Sequence, residues 1–396
     1  MNIPDIILHI SKTCQQAGGT VWLVGGCVRD MFLGVPPKDW DLEVHNLSGT
    51  ELSVLLKKIG PCSRVGKSFS VFKMILGNEE IDIALPQNGI EDAPHMGIEE
   101  ALRRRDLTMN AIAYNIAEEK FFDPFHGQRD IEQRILRATD ANTFIEDPLR
   151  PYRVAQFAAR FSFDIDKSLI ELCRSISVQD IPSERIQTEL HKMWQKSPIP
   201  SIGLLVMEQL NLFSPFPLWK DPTHPNILRA IDRFATQKQQ YNTADSLCIF
   251  WLCTLHRLLP NDIEILLNTL KVHSINKVVV YQRIIPIITH YQSLLSNPTD
   301  SKIREFAEHS SLSWSLPIVA LLLDDNKQLL LNEITKKAKR LGVWEGPLPI
   351  LLPAKELMEL GYVGKEIGIA LHYIRKQQIL GNIQTAEDAQ QLLRNK

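Results

Sequence analysis

The chain reads VGGCVRD at residues 24–30 and, shortly afterwards, KDWD at residues 38–41. A strand-like run leads into Gly25 and Gly26, which have no side chain to keep backbone N–H groups away from a phosphate. The amphipathic segment that follows predicts a helix, and the N-terminus of a helix favours negative charge. Arg29, inside that segment, can add a guanidinium fork for the same phosphate. The stretch therefore predicts a glycine turn and a helix that together bind phosphate.

Asp39 and Asp41 stand two residues apart, so on a strand both side chains point to one face. Such a pair can bridge two Mg²⁺ ions, which prefer oxygen ligands and leave room for substrate phosphates. Asp82 lies in another alternating run and is a candidate third ligand, although alternation alone fits a structural residue as well. A glycine pair is usually only a turn, and D-x-D is common on solvated strands. Together, however, a phosphate cradle and a metal pair predict nucleotidyl transfer.

A second motif is RRRDLTMNA at residues 103–111. Its arginines could simply face solvent at the start of an apolar-periodic run. Asp106 and Asn110, however, are four residues apart and would share one face of a helix. They could hydrogen-bond a ribose while an arginine such as Arg104 binds phosphate.

The third motif is EDPLR at residues 146–150. On its own it predicts a capped helix start, with acidic residues and a proline before an apolar-periodic run. Asp147 and Arg150 are three residues apart and can project from one helical turn. A carboxylate accepts from the amino group of cytosine or adenine, and a guanidinium donates to ring acceptors on the same edge. Together they could read a base without a nucleic-acid template.

These motifs, in the forms GG-x-VRD…KD-x-D, RRD-x-T-x-NA and ED-x-x-R, resemble those of class II CCA-adding enzymes and the related bacterial poly(A) polymerases. Both belong to the DNA polymerase β-like nucleotidyltransferase superfamily. The resemblance implies that the second motif recognises ribose and that the third selects C and A. It makes Asp39 and Asp41 the catalytic metal ligands. The nucleotide-binding residues that it implies are Gly25, Gly26, Arg29, Arg104, Asp106, Asn110, Asp147, Arg150 and Arg153.

Strand signals are frequent up to about residue 138, for example at residues 20–24 and 71–76. They fade beyond residue 144, after which helical periodicity dominates. We therefore expect an α+β multidomain protein. A polymerase-β-like nucleotidyltransferase head, with a mixed sheet and helices, is followed by an all-α neck, body and tail. The expected boundaries are 1–140 for the head, 141–200 for the neck with the nucleotide-selecting element, 201–342 for the body and 343–396 for a tRNA-binding tail.

The composition is that of a soluble globular protein, with 396 residues, 44% hydrophobic content and a formal net charge of −2. That charge excludes a surface coated in positive charge but leaves room for a local basic groove. Six scattered cysteines without C-x-x-C spacing predict no zinc site and no disulfide framework, and so a reducing cytoplasm. We find no signal peptide and no apolar run long enough to span a bilayer.

The sequence thus predicts a template-independent tRNA nucleotidyltransferase that builds all or part of the 3′-terminal CCA from CTP and ATP with two Mg²⁺ ions. The main alternative is a CC-adding enzyme. The loop at residues 86–97 looks abbreviated, and in the family a short loop marks enzymes that add C but not A. A poly(A) polymerase would be expected to carry basic extensions that are missing here.

Two alternatives come from other classes. A catalytically inactive RNA-binding protein is disfavoured by the intact pair Asp39 and Asp41. An antibiotic-modifying nucleotidyltransferase is disfavoured by Asp147 and Arg150 and by the long helical half.

Overall fold

The structure, a computed structural model, describes residues 3–65, 71–77, 79–89, 91–323 and 327–394. The chain divides into two compact units, which are Met1–Ile181 with Val206–Leu212, and Pro182–Leu205 with Phe213–Lys396. Every residue of the expected site lies in the first unit.

A mixed seven-stranded sheet forms the centre of the first unit. Its strands are β1 (Thr20–Val24), β2 (Asp39–His45), β3 (Cys62–Val65), β4 (Val71–Leu76), β5 (Glu79–Ala84), β6 (Ala113–Asn115) and β7 (Lys120–Phe122). Their order across the sheet is β3-β4-β5-β2-β1-β6-β7. Neighbouring strands are antiparallel except β2 and β5, which run parallel.

Residue alternation on β2 explains why this strand carries the site. Trp40, Leu42 and Val44 are buried on one face of the sheet. Asp39 and Asp41 belong to the opposite set, because successive side chains of a strand alternate between faces. The apolar set thus holds β2 in the core and leaves the carboxylates on the other side.

Helices and one small sheet complete the first unit. The helices are α1 (Asp5–Gln16), α2 (Gly26–Phe32), α3 (Gly49–Ile59), α4 (Ile98–Arg103), α5 (Gly127–Gln133), α6 (Ala141–Phe144), α7 (Arg150–Phe161) and α8 (Lys167–Ser175). A 3₁₀ helix covers Thr108–Asn110, and β8 (Ile135–Leu136) pairs in parallel with β9 (Asp164–Ile165). Helix α1 buries Ile7 and Ile10 completely and packs against β1 and α3.

The second unit is almost entirely helical, as the sequence predicts for this part of the chain. Its helices are α9 (Ser183–Lys196), α10 (Pro200–Gln209, whose last residues belong to the first unit), α11 (Pro225–Ala235), α12 (Thr243–Leu255), α13 (Pro260–Thr269), α14 (Val280–Ser296), α15 (Asp300–His309), α16 (Leu312–Leu322), α17 (Gln328–Arg340), α18 (Ala354–Glu359), α19 (Lys365–Leu380) and α20 (Ala386–Arg394). A 3₁₀ turn at Lys238–Gln240 and the two-residue strands β10 (Ser274–Ile275) and β11 (Val278–Val279) interrupt them. No helix in the described part of the chain is long and apolar enough to cross a membrane.

The structure corrects the local conformation of two motifs. The second motif does not form one α-helix, because α4 ends at Arg103 and only Thr108–Asn110 is helical again, as a 3₁₀ turn. The third motif lies at the start of a helix, as predicted, but Asp147 and Arg150 do not share a helical turn. Helix α7 begins at Arg150 with Pro151 in its first turn, and Asp147 lies in the turn before it.

Candidate active site

The glycine turn between β1 and α2 lies directly against Asp41. Gly25 has a φ of 68° and caps the N-terminus of α2, and this left-handed conformation favours glycine. A Cβ at Gly25 would lie 2.9 Å from Nη1 of Arg105 and 3.5 Å from Oδ2 of Asp41. A Cβ at Gly26 would also lie 3.5 Å from Oδ2 of Asp41. Both glycines therefore leave space beside a carboxylate and a guanidinium.

The parallel pairing of β2 with β5 places Asp41 directly opposite Asp82. Asp39, one step along the same face of β2, is exposed, whereas Asp41 is half-buried. Burial raises the pKa of Asp41, and the charges of Asp82 and Asp39 raise it further. The charge of Arg105 and the N–H of Gly26 act in the opposite direction. Negative charge is thus concentrated where a cation would be stabilised.

The donor set partly fits a divalent metal. Asp39 and Asp41 offer carboxylate oxygens, the ligands that Mg²⁺ prefers. Asp82 is engaged elsewhere, since its Oδ2 lies 2.8 Å from Nζ of Lys73 on β4. Within the described residues, no three histidine, cysteine, aspartate or glutamate side chains form a ready metal-binding group. The pair Asp39 and Asp41 is therefore suited to hold a metal, and Asp82 could join only by leaving Lys73.

Arg29, Asn110 and Asp106 form a buried chain of hydrogen bonds. Arg29 donates from Nε and Nη2 to Asp30 at 2.9 and 2.7 Å, and from Nη1 to Oδ1 of Asn110 at 2.7 Å. Asn110 in turn donates from Nδ2 to Oδ1 of Asp106 at 3.0 Å. The contact expected between Asp106 and Asn110 therefore exists, although a turn rather than an α-helix makes it.

Arg153 of α7 ends this chain. Its Nε and Nη2 both lie 2.7 Å from Oδ2 of Asp106. Burial alone would raise the pKa of Asp106, but the charge of Arg153 and the donors Asn110 and Leu107 outweigh it and lower that pKa to about 2. Asp106 is thus an ionised, buried carboxylate that links the second motif to the helix of the third.

Arg150 is held by backbone carbonyls at the start of α7. Its Nη1 donates to the carbonyl of Thr143 and its Nη2 to the carbonyl of Arg104, both at 2.6 Å. The side chain of Asp147 accepts from the N–H of Leu149 at 3.1 Å. The two residues expected to read the base are therefore neighbours, and Arg150 is bound to the backbone in this conformation.

Arg104 connects the third motif to the loop at residues 86–97. Its Nη2 lies 2.6 Å from Oε2 of Glu146. The same nitrogen would lie 2.8 Å from a Cβ at Gly89, which has a φ of 95°. The loop is closed on itself, since the N–H of Ala93 donates to the carbonyl of Pro86 at 2.7 Å. Ile90 of this loop lies outside the described residues.

Arg105 is a site residue that the sequence analysis did not single out. It lies at the glycine turn beside Asp41, and its Nη2 donates to Oε2 of Glu43 at 3.0 Å. Three consecutive arginines look alike in the sequence. Only the tertiary contacts separate Arg103, which pairs with Glu99 on the surface, from Arg105 in the site.

Comparisons with known proteins find one family model and several relatives that match this chain. Residues 21–137 match the family model of the poly A polymerase head domain. The Multifunctional CCA protein of Pseudomonas fluorescens (strain Pf0-1) is 32% identical over 60% of this chain and 62% of its own length. The CCA-adding enzyme of Blochmanniella pennsylvanica (strain BPEN) is 40% identical over 43% of this chain and 44% of its own length. The chain thus spans less than two thirds of the length of these relatives.

Solved structures show the same fold over nearly the whole chain. A CCA-adding enzyme in complex with ATP matches with a TM-score of 0.73 and 21% identity, over 99% of this chain and 95% of that one. The Thermotoga maritima CCA-adding enzyme complexed with tRNA matches with a TM-score of 0.69 and 20% identity, over 100% and 96%. At this identity the likeness establishes the fold.

The chain therefore carries a nucleotidyltransferase head of the poly A polymerase type, followed by a largely helical remainder. Its homologues and its structural neighbours are CCA-adding enzymes, the class II nucleotidyltransferases.

Proposed function

We propose that this chain is a template-independent tRNA nucleotidyltransferase that builds all or part of the 3′-terminal CCA of tRNA from CTP and ATP. One observation carries the proposal: the glycine turn of β1–α2 lies against Asp41, which the sheet register places opposite Asp82. A relative and a solved structure of the same fold, both named as CCA-adding enzymes, support the proposal. The six cysteines are free thiols, which fits a reducing cytoplasm.

In this proposal the 3′-hydroxyl of the tRNA attacks the α-phosphorus of the nucleotide in line, and pyrophosphate leaves. Asp39 and Asp41 would hold two Mg²⁺ ions, with Asp82 a possible third ligand once it leaves Lys73. When bound, such ions lower the pKa of the attacking hydroxyl and stabilise the leaving oxygen.

The other residues bind and orient the nucleotide. Gly25 and Gly26 open the turn to the triphosphate, and Arg104 supplies positive charge near the third motif. Asp106 and Asn110 face the ribose, kept in place by Arg29 and Arg153. Asp147 and Arg150 read the base edge, for which Arg150 exchanges its bonds to backbone carbonyls for bonds to the base.

We also propose the domain roles that the sequence suggests. Residues 1–140 are the catalytic head, 141–200 the neck that selects the nucleotide, 201–342 the body, and 343–396 a tail that binds tRNA. The tail has a small hydrophobic core of its own, formed by Leu352, Leu357, Ala370, Ile374, Ile383, Ala389 and Leu393.

A CC-adding enzyme is the second candidate, and the short loop at residues 86–97 favours it. The hydrogen bond between Ala93 and Pro86 closes this loop into a compact turn, which limits its reach.

The experiment that tests the function uses purified protein and a tRNA that ends at the discriminator base. The tRNA is incubated with Mg²⁺ and CTP, ATP or both, and the product ends are sequenced. We expect efficient addition of C, and addition of A only to ends that already carry C. Addition of A alone in long runs would identify a poly(A) polymerase, and tRNA binding without incorporation would identify an inactive RNA-binding protein.

A further inference from the structure

Glu43 is a buried carboxylate two residues beyond Asp41 on the same face of β2. It is 8% exposed, and each of its oxygens has a partner. Oε2 accepts from Arg105 at 3.0 Å, and Oε1 lies 3.1 Å from Nε2 of His45. Burial alone would raise the pKa of Glu43, but the hydrogen bond from His45 and the charge of Arg105 hold it below its usual range. The carboxylate is therefore held from both sides, by Arg105 and by His45.

Arg105 depends on Glu43 for its orientation. Glu43 is the hydrogen-bond partner of its Nη2, whereas its buried Nε has no partner among the described residues. Its Nη1 lies at the Gly25 turn, where even a methyl group would come within 2.9 Å. This guanidinium is also the strongest positive influence on Asp41. Glu43 thus anchors a guanidinium that lies at the Gly25 turn, beside Asp41.

His45 extends this chain of contacts to the loop at residues 86–97. Its Nδ1 lies 2.8 Å from the carbonyl of Met96. The imidazole ring therefore lies between the carboxylate of Glu43 and the carbonyl of Met96. The neighbouring N–H of Asn46 donates to the carbonyl of Pro94 at 2.7 Å. The end of the loop is therefore fastened to the end of β2 beside Glu43.

We propose that Glu43 is a positioning residue for nucleotide binding. It holds the Arg105 guanidinium at the Gly25 turn, away from full pairing with Asp41, and through His45 it couples Arg105 to Met96 at the end of the loop. This inference rests on the proposed function and names the residues that prepare the same site. Without the charge of Glu43, the best anion left for Arg105 is Asp41. Arg105 would then pair with Asp41, the proposed metal ligand, and leave the Gly25 turn, which is proposed to receive the triphosphate.

The test compares Glu43→Gln with Glu79→Gln, a matched control. Glu79 is a carboxylate of the neighbouring strand β5 that accepts from Nε1 of Trp40, whose side chain lies in the buried set of β2. For Glu43→Gln we expect the KM for CTP and the half-saturating Mg²⁺ concentration to rise about tenfold, with kcat within about threefold, since ground-state binding is lost. Glu79→Gln should match the parent in both. An unchanged KM in Glu43→Gln would overturn the inference.

A double-mutant comparison separates a positioning role from a merely structural one. If Glu43 acts through Arg105, the double variant Glu43→Gln/Arg105→Gln has the same KM for CTP as Arg105→Gln alone. If the effects of the two substitutions on the KM for CTP multiply instead, Glu43 does not act through Arg105 and the inference is wrong. If Glu43→Gln does not fold, His45→Gln takes its place and should raise the KM for CTP about threefold in the parent and not at all in Arg105→Gln.

Equilibrium CTP binding, measured by calorimetry, distinguishes failure of this inference from failure of the function. If the parent binds CTP but adds nothing to tRNA, the proposed function is wrong. In that case, weaker CTP binding by Glu43→Gln than by the parent still supports the positioning role. If the parent adds C normally and Glu43→Gln binds CTP equally well, only the positioning role is wrong.

Discussion

At the residue scale, one alternating chain of charges and hydrogen bonds joins the three motifs. It runs from Asp30 through Arg29, Asn110 and Asp106 to Arg153. Asn110 accepts from Arg29 and donates to Asp106, and Asp106 also accepts from Arg153, so removal of one member leaves buried partners unsatisfied. This arrangement explains why residues distant in the sequence are needed together.

The low pKa of Asp106 leads to a test by acid. Its carboxyl has a pKa of about 2 in the folded protein, below the ordinary value of 3.8, so the ionised form stabilises the folded state. That contribution is complete above about pH 4 and is lost as the pH falls towards 2. We expect Asp106→Asn to lose about 2 kcal/mol at pH 7. Urea unfolding at several pH values should show that the difference in free energy of unfolding between parent and variant disappears between pH 4 and 2. A difference that does not depend on pH would contradict the low pKa of Asp106.

The carboxylates of β2 lead to a test of catalysis. Asp39→Ala and Asp41→Ala should each abolish nucleotide incorporation, because a metal ligand is lost and transition-state charge is no longer neutralised. The fold and tRNA binding should be retained, as measured by circular dichroism and filter binding. Near-normal incorporation by both variants in Mg²⁺ would show that the catalytic metals bind elsewhere.

The positions of site side chains could be predicted only where the period of a strand or the spacing of two residues in the sequence places them together. The strand period of two placed Asp39 and Asp41 on one face, and the spacing of Asp106 and Asn110 anticipated their contact. The role of Arg105 could not be predicted, because its partner Glu43 and the turn at Gly25 are distant in sequence. The bonds of Arg150 to two carbonyls were equally invisible, since backbone acceptors leave no signature in the sequence.

At the element scale, strands with clear alternation were predicted closely and short elements were not. The predicted strand at residues 20–24 and that at 71–76 agree with β1 and β4. Strand β6 was missed because it is only three residues long and buried throughout, so no polar alternation marks it. The helix predicted for RRRDLTMNA was also wrong, since tertiary contacts of Asp106 replace the helix that the spacing of Asp106 and Asn110 favours.

The loop at residues 86–97 leads to a test of nucleotide choice. To add A after C, Asp147 and Arg150 must present a different pattern of donors and acceptors, and some element has to move them. The loop meets Arg104 at Gly89, and Arg104 contacts both Glu146 and Arg150. Because the loop is short and closed, we expect efficient addition of C and poor or absent addition of the terminal A.

Sequencing of tRNA ends after incubation with CTP and ATP decides this point. Rapid formation of complete CCA ends by this protein alone would show that the loop still moves enough, and the wider assignment would stand. The variant Arg104→Gln tests the link between the loop and nucleotide choice, because it removes the contact of Arg104 with Glu146. It should change addition of A more than addition of C.

At the scale of the whole molecule, the order of sheet followed by helices was predictable from the fading of strand signals. The two compact units were not, because a unit boundary depends on contacts and not on composition. Residues 206–212, for example, join the first unit although the residues on either side belong to the second. Tyr152 shows the cause, since its hydroxyl donates to the carbonyl of Leu212 at 2.7 Å.

The tail leads to a test by truncation. A chain that ends at Gly346 keeps the buried Val343 and the contact of Lys339 with Trp344 but removes the separate tail core. We expect tRNA affinity to fall at least about tenfold, since the tail is the proposed tRNA-binding surface, with the Kd for CTP unchanged. Fluorescence titration measures both constants.

Glu308→Gln in the full chain is the control for this truncation. It breaks the paired contacts of Glu308 with Arg375, at 2.6 and 2.8 Å, which the truncation also removes. If this variant alone weakens tRNA binding as much as the truncation does, the tail has no binding role of its own.

The parallel pairing of β2 with β5 also bears on the order in which the protein is made. Parallel strands need a long crossover, and contacts between distant segments form late in folding. When only Asp39 and Asp41 of a nascent chain have left the ribosome, Asp82 is still missing from the site. Arg105 emerges later than Asp82. We expect such a chain to be unable to capture nucleotide. Acquisition of CTP binding during synthesis would then mark the moment at which the first unit closes, and would follow formation of the hairpin β4–β5.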